Sequence, residues 1–304
     1  MIDLGLWAQL VTNGLLTGGI LALMAMGLTL VFGVMDIVNV AHGTYVLLAM
    51  YLAHVLWAFF GIDPFVATLV VGPVFFLFGV VSEQVVIKRV IDESIAAQVF
   101  ATLGLLWIFQ NFAQLLFGSA PRSAGAGYGG ISVLGVDIQE VRLYGFVVAI
   151  VLTGLLYLFL YRTKIGLAIR ATAQSPTLAR PFGVNIDRIY TLTFGLGIGL
   201  AGVGGSVLVA TRSVVPISAN FLLLVAFVIV TLGGLGSITG ALTAGLGIGV
   251  IDSFISYYIS PSLAPPIYFA LFIAVLILRS TGRGTMIRYR INQLFAGRTG
   301  GMSH

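Results

Sequence analysis

The chain has no cysteine and very little charge. Without cysteine there are no disulfides, no thiolate metal ligands and no cysteine nucleophile. Charged residues make up 8% of the 304 residues, against 59% hydrophobic. A water-soluble domain needs charge over its surface, so that class is excluded. Also missing is a polar stretch long enough to fold on its own. The longest polar gap, 118–141, is glycine-rich and weakly charged. No pair of carboxylates and no Ser–His or His–Glu spacing supports catalysis, and no metal or other cofactor is expected. The formal charge of +5 comes without a basic patch interleaved with aromatics, so nucleic acid is not an expected partner. Met1-Ile2-Asp3 lacks the basic segment of a cleaved signal, and the first apolar run is expected to stay as a helix.

What the chain has instead is long apolar runs and a mean hydropathy of +1.10. They lie at roughly 10–32, 45–60, 65–87, 96–117, 143–160, 189–210, 221–232, 238–258 and 265–278. A helix of about 20 apolar residues matches the hydrocarbon thickness of a bilayer. Lipid offers no hydrogen bonds, so an open chain spans it as helices. The expectation is an all-α polytopic membrane protein, one transmembrane domain over 1–304 with eight or nine spans and membrane lipid as its solvent.

Lys and Arg set the orientation. Lys88 and Arg89 follow the third run. Arg162, Lys164, Arg170, Arg180 and Arg188 follow the fifth, and Arg279, Arg283, Arg288, Arg290 and Arg298 follow the last. Only Arg122, Arg142 and Arg212 stand in the alternate gaps. The positive-inside bias places a loop at 163–188 and a basic tail at 279–304 in the cytoplasm, and 118–141 outside. Counting back, the N-terminus is outside. The segment 32–43 would then be cytoplasmic yet has no Lys or Arg. The alternative is that it dips into the bilayer, which lowers the count to about eight.

Three interruptions carry information. The first, Gly33 to Gly43, puts Asp36, Asn39 and His42 between apolar runs at intervals of three. Polar groups at membrane depth are costly and usually face a cavity or one another. The plainer reading is a loop in which Asn and His cap helix ends. The second, Leu232-Gly233-Gly234-Leu235-Gly236-Ser237-Ile238-Thr239-Gly240, lacks the lysine and the preceding strand of a phosphate loop. Interrupted hydrophobic segments in both halves point to a transport pathway. Its candidate residues are Asn39, His42, Gly43, Gly233, Gly234 and Gly236. The third interruption is the basic loop. Ser175 caps a short helix there, with Pro176 at its first position and Gly183 just past its end; Pro181 shortens or kinks it. Thr177, Leu178, Ala179, Phe182 and Gly183 are its candidate contacts for a soluble partner. The plainer reading is a solvated loop held by arginines at the headgroups.

Of the isolated polar groups, Glu83 is expected to snorkel, and His54 to be interfacial or satisfied. Asp252 is expected to pair with Arg212 or line a cavity. No His or Cys stands near enough to His42 to make it a metal ligand.

Together the three interruptions resemble the permease subunits of branched-chain amino-acid ABC importers of the LivH type. Gly27-Leu28-Thr29-Leu30-Val31-Phe32-Gly33-Val34-Met35 followed by Asn39-Val40-Ala41-His42-Gly43 is similar to that family's first signature, with Val40 where Phe is usual. Arg170-Ala171 through Gly183-Val184-Asn185-Ile186-Asp187-Arg188 looks like its cytoplasmic loop, with an unusual Pro181. The Leu232–Ala241 run also matches; the last span ends Arg279-Ser280-Thr281-Gly282, unlike the usual Arg-Pro-x-Gly run. The resemblance covers about 14–280. It implies a subunit without its own nucleotide site in a bacterial or archaeal plasma membrane, moving a small solute, most often an amino acid. Urea and short amides are alternatives. It also implies two cytoplasmic ATPases on the 163–188 loop, a second homologous permease and an extracytoplasmic binding protein. The competing class is a stand-alone channel or ion-coupled carrier with Asp36, His42 and Asp252 as a relay.

Overall fold

The computed structural model of the chain describes residues 4–280, with 126 and 134 excepted. Each of the nine apolar runs is a helix or the greater part of one. We number them with the shorter helices as α1 Leu4–Met35, α2 His42–Phe60, α3 Pro64–Val90, α4 Ile95–Phe117, α5 Glu140–Arg162, α6 Lys164–Gln174, α7 Pro176–Ala179, α8 Ile186–Thr211, α9 Ser218–Gly233, α10 Ile238–Tyr258 and α11 Ala264–Ser280. Seven of them are long and apolar enough to cross a bilayer, and α9 and α11 are shorter apolar helices.

The polar gaps supply the caps that start these helices. Asp63 accepts from the Phe65 amide (2.8 Å), with Pro64 at the first helical position. Ser94 accepts from Ala97 N, Asn185 from Arg188 N and Ser237 from Gly240 N. Each bond satisfies an amide with no partner inside its helix.

α1 and α8 are the most buried of the seven spans and form the centre. They cross antiparallel, with Gly27 against Gly197 and Gly204 against Met24. α10 lies antiparallel along α1, and α3 antiparallel along α8. α2 packs on α8 and α9 on α1; α4 packs on α2 and α11 on α9. Exchanging α1–α4 for α8–α11 maps each of these pairings onto another. The fold is therefore an inverted repeat of four helices, with α5 to α7 as the connection between halves.

One end of the bundle carries Lys88, Arg89 and the α6–α7 segment; we call it the basic end. The opposite end carries a two-stranded antiparallel hairpin, β1 Gly130–Val133 and β2 Val136–Gln139. The sequence pattern gave only a glycine-rich gap there, because four-residue strands leave little periodic signal. Gln9 ties the hairpin to α1 by bonds to both the Asp137 carbonyl (2.6 Å) and amide (2.7 Å). Tyr128 donates to Asp63 (2.5 Å); burial and that carboxylate both push its phenol pKa up.

Glu83 does not snorkel. It sits in a wide π turn of α3, is 1% exposed, and accepts from the Thr191 hydroxyl at 2.7 Å. A hydroxyl donor on the packed α8 compensates part of its burial, so the side chain stays in. From residue 281 on, the expected basic tail lies outside the described residues.

Candidate functional site

The first interruption folds back into the bundle. α1 ends at Met35, and Asp36 takes a left-handed φ of 52° while its amide bonds the Phe32 carbonyl at 2.9 Å. Asp tolerates that conformation better than most residues, which suits it to stop a helix. The six residues 36–41 then run back alongside α1. His42, the first residue of α2, bonds through Nε2 to the Met24 carbonyl at 3.0 Å, eighteen positions earlier. α1 continues about 16 Å past Met24, and six extended residues reach about 20 Å, so the return is geometrically easy. Val38 marks the climb: its carbonyl accepts from Thr102, two turns into α4. His42 also lies against Gly27, which packs on Gly197 near the middle of α8. The segment is thus re-entrant, with His42 at mid-bundle depth.

Neither Asn39 nor His42 caps a helix through its side chain. The cap position of α2 is Ala41, and it makes no side-chain bond. Asn39 contributes only its backbone carbonyl, to the His42 amide. Both side chains are 0% exposed. Both polar atoms of Asn39 and the Nδ1 of His42 are buried without a hydrogen-bond partner among the described residues. Three such atoms at one helix start are unusual, since buried polar groups are nearly always paired.

Gly43 brings the halves together. A Cβ there would meet the Ala219 carbonyl and stand 2.7 Å from the Leu223 amide. The starts of α2 and α9 therefore touch at mid-depth. The counterpart of the 36–41 return is 212–217, which enters from the hairpin end; its Val214 bridges Arg122. The two helices aim their positive N-terminal ends at the same region.

The second interruption is a tight turn at the basic end between α9 and α10. Gly234 and Gly236 have φ of 93° and 80°, which side-chain-bearing residues rarely adopt. Gly233 and Gly240 are in backbone contact, and Gly236 rests on Gly33 at the end of α1. The structure thus joins the two interruptions at Gly33 and Gly236, while Asn39, His42 and Gly43 lie deeper. Because a Cβ on Gly234 would meet only Ser237 Cβ, at 4.0 Å, Gly234→Ala is expected to destabilise through its φ alone, by about 1–3 kcal/mol. Thermal midpoints of purified protein check this against Gly104→Ala, which is a helical site with no neighbour for the new methyl.

The third interruption holds more structure than the sequence reading expected. α6 precedes the short helix as a separate amphipathic element, started by Thr163 accepting from Gly166 N at 2.9 Å. Arg170 reaches back to the Leu160 carbonyl (3.0 Å) and lies over the Tyr161 ring. Ser175 then caps α7 through Leu178 N (3.3 Å). Pro181 converts the last turn to 3-10 geometry, and Gly183 ends it at φ 83°. Leu178 is 69% and Phe182 88% exposed, Thr177 and Gly183 are exposed, and Ala179 is buried. The side chain of Ala179 faces its own chain.

A cluster that sequence reasoning only half saw lies near the hairpin end. Arg212 pairs with Asp252 at 3.4 Å, as one expectation had it. Arg142 and Asn13 line the same pocket. Asn13 is a lone amide in the first apolar run, a signal of the same kind as Asp252.

The matching family model is that of the branched-chain amino acid transport system / permease component, over residues 10–279. The chain belongs to this family. The permease is 30% identical to the high-affinity branched-chain amino acid transport system permease protein BraD of Pseudomonas aeruginosa, over 91% of this chain and 95% of that protein. It is 29% identical to the corresponding protein LivH of Escherichia coli, covering 90% and 94%. A probable LivH of Methanocaldococcus jannaschii shares 29% over 78% and 77%. No solved structure matches the permease. It is a multi-pass plasma-membrane subunit of an ABC-type importer, and membership implies ATPase and binding-protein partners.

Proposed function

We propose that this permease subunit carries amino acids with aliphatic side chains, branched-chain ones first, into the cell. A second homologous permease completes the pore, and two ATPases dock on 163–188. An extracytoplasmic binding protein delivers solute to the hairpin end, so the basic end is cytoplasmic and the 118–141 loop outside. The observation that carries this reading is the pair Leu178 and Phe182, standing out from an ordered basic segment. Two large apolar side chains held in water on a short capped helix fit a groove on a soluble partner. The relatives' names supply the substrate class. The solute pathway runs past the buried Asn39, His42 and Gly43 to the glycine turn Gly233, Gly234 and Gly236. ATP is hydrolysed on the separate subunits.

The carrier reading is less well supported. Asp36 is exposed at the end of α1, His42 is held at mid-depth by Met24, and Asp252 is tied to Arg212 near the hairpin end. The three do not form one chain of proton partners. Proteoliposomes decide between the classes: L-leucine uptake is expected only with the ATPases, the binding protein and ATP. Uptake by this chain alone under an ion gradient would overturn the importer reading. Urea in place of leucine tests the other solute class.

Sidedness has a clean test because the chain lacks cysteine. Cysteine introduced at the exposed Ser123 should react with an impermeant maleimide in intact cells, and cysteine at the exposed Ala173 only after lysis. The reverse pattern inverts the orientation.

Asn39 allows a sharper test of the pathway. A buried amide without partners costs about 1–3 kcal/mol, so Asn39→Leu should leave the thermal midpoint equal or higher. If Asn39 serves the solute, uptake should nevertheless fall several-fold. Unchanged uptake at equal expression removes Asn39 from the pathway.

A further inference from the structure

Near the hairpin end, α1, α5, α8 and α10 enclose a partly open pocket of about 350 Å³ with a mostly polar wall. Its charges do not balance. Asp252 is engaged on both oxygens: Arg212 reaches one at 3.4 Å, and Tyr268 donates to the other at 2.5 Å. That triad ties α8, α10 and α11 together and accounts for one arginine. Arg142, half-buried at the start of α5, has no hydrogen bond or ion pair among the described residues. It faces a second guanidinium, Arg212, across the same pocket. From α1, Asn13 lines the wall with a buried Oδ1 that also lacks a partner among the described residues. Two guanidiniums share the one Asp252 carboxylate, so this half-buried site at the outer end carries one positive charge in excess, which disfavours it unless an anion joins them.

The geometry asks for an anion on Arg142 and a hydrogen-bond donor on Asn13. Guanidinium binds carboxylate through two parallel bonds, which fixes the ligand's orientation as well as its charge. The Asn13 carbonyl oxygen would receive an ammonium, and the Asp252 carboxylate, already bonded on both oxygens, would attract it at longer range. We propose that this pocket is an outer-side station for a zwitterionic α-amino acid, with its carboxylate on Arg142 and its ammonium toward Asn13 and Asp252. This inference rests on the amino-acid reading above and gives it a recognition site.

The test uses Ser256, another lining residue, changed to cysteine in the otherwise cysteine-free full chain, purified with its partner subunits into nanodiscs. The rate of modification by a methanethiosulfonate reagent is followed with added L-leucine, with leucinamide, which lacks the carboxylate, and with isovalerate, which lacks the amine. Leucine should slow modification several-fold at saturation, because bound solute covers the thiol, and without the charge-assisted bond leucinamide should need about tenfold or more higher concentration for the same effect. Isovalerate should fall between the two. Arg142→Gln should abolish protection and Arg142→Lys should keep part of it. Should Arg142→Gln fail to fold, the contrast between leucine and leucinamide on native Arg142 still decides. Equal protection by leucinamide over the same concentration range overturns the carboxylate assignment, and protection independent of Arg142 overturns the residue. If protection tracks the anionic-lipid content of the nanodisc rather than leucine, the pocket holds a headgroup phosphate and the proposal falls. ATP-driven uptake by the unmodified complex separates the two readings. Uptake without protection sinks the pocket alone; protection without uptake sinks the importer reading alone; neither sinks both.

Discussion

Gly249→Leu should leave almost no folded permease, while Gly247→Leu, two positions away, should behave like the native chain. Gly249 lies where α10 crosses α1, with the Gly14 carbonyl and the Gly18 backbone filling the space a Cβ would need. The approach is reciprocal. A Cβ on Gly14 would stand 2.5 Å from Val250 Cα, and one on Gly18 2.5 Å from the Gly245 carbonyl. In lipid there is no hydrophobic drive between helices, so such backbone contact is a main source of their association. Overpacking ordinarily costs about 1–3 kcal/mol because neighbouring side chains shift. Here the obstacles are backbone atoms in two long helices, which cannot rotate away, and the cost falls above that range. Gly247 is exposed and has open space around it, so it controls for helix propensity and added bulk. Fluorescence-detected size exclusion before and after heating reads the difference. A wild-type profile for Gly249→Leu would mean that α1 and α10 do not pack this way.

Leu178→Asp and Phe182→Asp should each release the ATPase subunits from a permease that still folds. Their side chains are 69% and 88% exposed, so this chain loses little when they become charged. A partner groove would have to bury that charge. Apolar anchors at interface centres are worth about 2–4 kcal/mol, which is roughly 30-fold or more in affinity. Co-purification of the ATPase and solute-stimulated ATP hydrolysis should fall together, with unchanged permease yield. Ala179→Asp is no substitute, because Ala179 is buried and its replacement would disturb the segment itself. Persistence of both readouts in both variants would move the docking site elsewhere on the basic end.

Much of the plan was legible in the chain. Nine apolar runs became helices, and Asp63, Ser94, Asn185 and Ser237 cap four of them at the polar gaps. The Ser175-Pro176 start and the Gly183 stop bound the short segment in the basic loop, because capping and positive φ are local requirements. Harder to read were α6 and the 130–139 hairpin. The first has polar neighbours that read equally well as loop, and the second is held partly by Gln9, more than a hundred residues away. Glu83 was misread because nothing near it in sequence announces Thr191 as its donor.

The sequence by itself determined that lipid is the solvent, how many apolar helices there are, and which end carries the positive charge. These follow from composition and from segments read one at a time. Only the tertiary structure decided which helices meet, that 36–41 turns back to set His42 on Met24, and that Arg142 and Arg212 share a pocket with Asp252. In water, an apolar stripe tells a helix which face to bury; a helix in lipid is apolar all round and carries no such mark. Its neighbours are chosen by where glycines let backbones touch and where stray polar groups find one another, and both are properties of pairs of helices in space.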